Sequence, residues 1–148
     1  MILGDVISRL VTLYGTAVTS VVFDGPKPEA VNQPRYVLVG SDGEGDDGAS
    51  ADLEPSTTGP GTWWDERGEI VCSAWAQYGG TDLATCRSQA LSDAEACLAA
   101  VHADRSLNGL LNTPGATTSG VSISARQTST GALVRVTFTV AYQALVTS

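Results

Sequence analysis

Histidine is almost absent from this sequence and cysteine is scarce. His102 is the only histidine, and Cys72, Cys86 and Cys97 are the only cysteines. Such a set has neither the paired Cys and His spacing of a structural zinc site nor the even count of a disulfide framework. On one helix, Cys86 and Cys97 would share a face but stand about 16 Å apart along the axis, too far to bridge. The thiols therefore read as small buried hydrophobes. His102 reads as a partly exposed residue near a helix C-terminus. There is no Gly-x-Ser-x-Gly and no Walker A, and the GxGxxG spelled by GEGDDG at 43–48 carries three acids and opens no helical pattern, so it is not a dinucleotide fingerprint. The expectation is a chain with no catalytic residue, no cofactor and no metal centre. Long apolar runs are also missing: none approaches the roughly 20 residues of a bilayer span. The N-terminal MILGDVISRLVTLYGT is interrupted by Asp5 and Arg9 and lacks a basic n-region and a cleavage site. It reads as a protein made and used inside a cell, with no membrane partner.

Positive charge is sparse: eight Lys and Arg stand against sixteen acids, for a net charge of −8. The excess has one address. Residues 41–66 hold Asp42, Glu44, Asp46, Asp47, Asp52, Glu54, Asp65 and Glu66 and no basic residue. The other eight acids balance all eight bases. A protein that grips nucleic-acid phosphates carries clustered charge of the opposite sign. As a calcium loop the segment fails on spacing. An EF-hand started at Asp42 has acids at positions 3 and 5, Glu44 and Asp46, but Asp47 where Gly belongs and Leu53 where Glu belongs. The same segment ends in Trp63-Trp64. A tryptophan pair in a polar stretch either folds back on the core or anchors a protein contact, where Trp is over-represented among hot spots.

Around this segment the patterning is regular. Ile2, Val6, Leu10 and Leu13 mark a helix over 1–15, with Gly15 where it would stop and Asp5 and Arg9 placed to pair. AVTSVVFDGP reads as a strand ended by Asp24-Gly25-Pro26, and RYVLVG, 35–40, as a central strand apolar on both faces. About 28 residues separate it from the long strand 68–80, an unusual length for a structureless loop. In that strand Ile70, Cys72, Ala74, Ala76 and Tyr78 face one side, and Val71, Ser73, Trp75 and Gln77 the other. Thr81-Asp82 opens a helix over 82–104 with a small-volume stripe, Leu83, Cys86, Ala90, Ala94, Cys97, Leu98 and Val101. Two strands close the chain, around Val121–Ala125 and Val134–Tyr142, with a hairpin at Ser129-Thr130-Gly131. The fold class expected is α+β, in the order α-β-β-(long loop)-β-α-β-β. The sheet has about five strands, is largely antiparallel and carries the long helix on one face. One domain spans 1–148, with an acidic loop at 41–66.

The ordered set VVFDGP, PRYVLVGSDG, the acidic loop, WWDERGEIVCSAWAQYGGTD, CRSQALSDAEACLAAV, DRSLNG and VRVTFTVAY resembles the tail terminator proteins of long-tailed actinobacterial phages, which are similar to the lambda-type tail terminators. The resemblance covers nearly the whole chain. It implies a structural virion protein at the head–tail neck, assembled in the host cytoplasm. Six copies would form a ring on the head-proximal end of the tail tube, stop its polymerisation and present the joining surface for the head. The partners implied are further copies of the chain, the major tail tube protein and the head-completion or stopper protein, with DNA only in passage. Other neck or minor tail components, adaptor and stopper, are the neighbouring readings; they tend to be more helical or more barrel-like. A small acidic metal-binding domain is the reading from a different class. The resemblance has no short motif from which a contact residue can be carried over. Taken with the resemblance, the charge pattern and the tryptophan pair suggest that Asp46, Asp47, Trp63, Trp64, Asp65 and Glu66 belong to an assembly or channel-facing loop, with Trp63 or Trp64 buried at a contact. Deletion of 43–60 would then impair assembly and leave the monomer folded.

Overall fold

The computed structural model describes all residues except 29–32, 44–47, 58–60, 62, 81, 113–114, 129–130 and 148, and only the backbone of Thr128 and Thr147. Two helices and six strands follow in the order α1 (Leu3–Ala17), β1 (Val21–Asp24), β2 (Arg35–Val39), β3 (Ala49–Pro55), β4 (Trp63–Tyr78), α2 (Leu83–Ala103), β5 (Thr117–Thr128), β6 (Gly131–Thr147). The class is α+β, as the patterning predicts. The strands form one sheet in the order β1-β2-β4-β6-β5, with β3 added to β4 beside β2. All ladders are antiparallel except β1 with β2.

β4 is the spine. Its 16 residues pair along their whole length with β6 on one side. On the other side its first half carries β3 and its second half carries β2. Strand side chains alternate between faces. The even-numbered residues Ile70, Cys72, Ala74 and Ala76 join Val134, Val136, Phe138 and Val140 of β6 under the helices. α2 lays Cys86, Ala90, Ala94, Cys97 and Val101 on this face. These residues are small, so the helix approaches closely, and the Cys86 thiol reaches the Ala76 carbonyl at 2.9 Å. α1 adds Val6, Leu10 and Tyr14, with Tyr14 edge-on to Phe138 at 6.2 Å.

Several local expectations change. α1 runs through Gly15 to Ala17 and ends when Val18 turns extended, its N–H still bonded to the Tyr14 carbonyl. One glycine near a helix end costs only about 1 kcal/mol, which burial of the apolar stripe offsets. Arg9 bonds the Asn108 carbonyl at 3.3 Å. The cap of α2 is Asp82 itself, whose carboxylate accepts from the Thr85 N–H. α2 also buries an acid: Asp93 is 4% exposed and accepts from Ser20 and from Arg35, each at 2.7 Å. The first strand is shorter than expected, Val21–Asp24. The hairpin between β5 and β6 closes at Thr128 and Gly131; Ser129 and Thr130 lie outside the described residues. None of the described helices is long and apolar enough to cross a membrane.

Candidate assembly surfaces

The segment 41–66 is not one loop. Gly40 and Gly43 turn the chain with φ near +81° and +84°, a region favouring glycine. Ala49–Pro55 then forms β3, and β4 already begins at Trp63. Ser56 N–H bonds the Trp63 carbonyl at 2.9 Å and continues the ladder past Pro55. β3, the start of β4 and the end of β6 together make a three-stranded arm.

The root of the arm holds Glu66, which has no exposed surface. Its parity points it to the helix face. There the carboxylate accepts the Tyr142 hydroxyl at 2.6 Å and the Ile2 N–H, 3.1 Å from each oxygen. The first turn of α1 thus gains a negative charge at its positive end. Tyr142 reaches Glu66 because it lies across from Gly68: a Cβ there would collide with the tyrosine ring. Burial, and then the neighbouring carboxylate, push the Tyr142 hydroxyl well above its ordinary pKa, so it stays a donor. Glu66 is therefore a fold residue, and the expectation that it faces a channel or tube end is corrected. Its carboxylate is occupied inside the molecule.

Beyond Glu66, Trp63–Asp65 extend the arm by about 10 Å. Trp64 shares the helix-side face with Glu66, while Trp63 and Asp65 share the opposite face; all three are half-buried. Neither tryptophan is fully covered within the monomer. Asp65 stands directly across from Glu54 on one side and Leu145 on the other. A like-charge pair in direct register is destabilising. The neighbouring row sets Asp52 across from Arg67, which relieves part of it. Leu145, 36% exposed, shares the face of Asp65 and Glu54, whereas Leu53, 41% exposed, lies across from Glu66 on the helix-side face. One face of the arm is thus acidic and partly apolar at once. Asp46 and Asp47 lie outside the described residues.

The first residues of the acidic segment are fixed on the sheet face opposite the helices. Trp75 stacks on Tyr36, with centroids 5.7 Å apart and rings 13° from parallel. Its indole N–H donates to Ser73 Oγ, and that hydroxyl donates to the Ser41 carbonyl, both at 2.9 Å. Arg135 lies over the Trp75 ring and bonds the Asp42 carbonyl at 3.1 Å. Gly43 sits so close to the ring that a Cβ would collide with it. Sequence reading placed Ser73 and Trp75 on this face correctly but missed what covers them. The Gly-Ser-Asp-Gly turn at 40–43 was the available signal. His102 is exposed near the end of α2, and the three thiols are buried. Among the described residues no group of three or more His, Cys, Asp or Glu is placed to hold a metal ion.

Compared with known proteins, the chain matches no family model and no curated protein.

Proposed function

We propose that the chain is a structural phage protein of the tail-terminator kind: a subunit of a six-membered ring that caps the head-proximal end of the tail tube and offers the surface to which the head joins. The observation that carries this reading is the arm. It is an acidic β-structure with half-buried tryptophans, mounted on a rigid helix-backed sheet. Such a projection suits docking on a neighbouring protein, because aromatic anchors supply contact energy and the sheet holds them in place. The ordered sequence resemblance to tail terminators supports the same reading. In this role the ring's neighbours are the tail tube protein below and a head-completion or stopper protein above. DNA passes through without holding, since a neutral or acidic wall offers no counterion-release gain to phosphates.

The functional test is tube growth in vitro. Added to polymerising tail tube protein, the chain should bind one tube end, shorten the length distribution and leave a capped end visible by negative-stain electron microscopy. Tubes of unchanged length with bare ends would refute the role.

A further inference from the structure

The two edges of the sheet are unlike. β5 is twelve residues long and, among the described strands, pairs with β6 alone, so the outer side of its Val121–Ser124 stretch faces no further described strand. Edge strands are ordinarily blunted by lysine, proline or inward charge. Thr117–Ala125 contains no charged residue and no proline. Val121 and Ile123 are 52% and 49% exposed. A bulge between Ser119 and Ser122, with Gly120 at φ +69°, marks one end. From Ser122 to Thr128 the register is regular.

The opposite edge at the same height is β1. One row crosses the whole sheet: Val22, Val37, Ala74, Val136, Ile123. Three of the four ladders along it are antiparallel and one is parallel, so β1 runs antiparallel to β5. A second copy set head to tail along this row brings its β1 beside β5 in antiparallel sense. Its helices stay on the same side of the extended sheet. Val22 then meets Ile123, and Val21, itself 38% exposed, meets Ser124.

In this register Asp24 falls beside Val121 and Phe23 beside Ser122, so the contact is made by backbone and apolar side chains rather than by charge. Two β5 edges meeting each other would stop at a dimer. Head-to-tail pairing is heterologous, the kind of contact that closes rings.

We infer that β5 of one copy takes β1 of the next, with Ile123 beside Val22, so that the occupant of this edge is a second copy of the chain. The inference rests on the ring reading above and names the contact that builds the ring. β1 has only four residues, so one such contact is small, and ring closure adds a further contact without adding a subunit.

Engineered cysteines test it, the three native thiols being buried. Val21→Cys and Ser124→Cys are made separately, mixed and oxidised. The mixture should give a disulfide-linked pair, and neither variant alone should. Self-linking of Ser124→Cys alone would mean β5 edges back to back and would overturn the inference. In parallel, Ile123→Lys should raise the concentration of half-assembly by about tenfold with an unchanged circular-dichroism spectrum. Six-copy assembly that survives Ile123→Lys, with no cross-link in the mixture, would overturn this contact and leave the ring reading standing. A chain that is monomeric at every concentration would overturn both.

Discussion

Glu66 lies in an acidic run and yet has no exposed surface, because two donors 76 and 64 residues away meet its carboxylate. A buried charge costs several kcal/mol unless hydrogen-bonded, so its partners carry weight. Tyr142→Phe keeps the ring against Gly68 and removes only the hydroxyl. It should lower unfolding stability by about 1.5–3 kcal/mol, read from urea denaturation. A loss below about 0.5 kcal/mol would mean the bond is not needed. Two acids, the exposed Asp82 and the half-buried Asp104, act through pH. Hydrogen bonds from Thr85 hold the Asp82 carboxyl below its ordinary pKa, and bonds from Ser106 and Asn108 do the same for Asp104. A carboxyl with a lower pKa in the folded than in the unfolded state stabilises above the unfolded value, about pH 4. That contribution is lost as pH falls through the folded value. Melting temperature should therefore drop between pH 5 and pH 3, and by less in the Asp82→Asn, Asp104→Asn double variant. Equal drops would contradict the assignment.

At the scale of elements, the clamp over Trp75 makes a sharp prediction. Gly43→Ala adds a Cβ where the indole lies and strains a positive-φ turn. The acidic segment's start should lift from the sheet, and tryptophan emission should shift red as Trp75 meets water. An unchanged emission spectrum would show that the turn is not held there. Deletion of 43–60 removes β3 but spares the β1-β2-β4-β6-β5 path. The core should remain cooperatively folded while tube capping is lost. These elements differ in how readable they were. The small stripe of α2, the two-faced alternation of β4 and the doubly buried β2 are local patterns tied to burial, and the sequence shows them directly. β3 was legible only in part. Ala51 and Leu53 do alternate with Ser50, Asp52 and Glu54, but Ala, Asp and Glu are poor strand formers. Its ladder to β4 holds it extended. Glu66, Asp93 and the Ser73–Ser41 bond depend on partners distant in the chain, and nothing in their own neighbourhoods announces them.

At the scale of the whole molecule, charge and edges divide the chain into unlike halves. The acidic arm and β1 belong to one, and the acid-free β5–β6 pair belongs to the other. On the proposed reading these unlike flanks meet head to tail, in a directed way. The most direct measurement of that claim is absolute mass by light scattering on a size-exclusion column, repeated over a hundredfold range of loading concentration. The account predicts a species of six times the 15.3 kDa subunit, gaining at the monomer's expense as concentration rises. A single 15.3 kDa species across the whole range would contradict it.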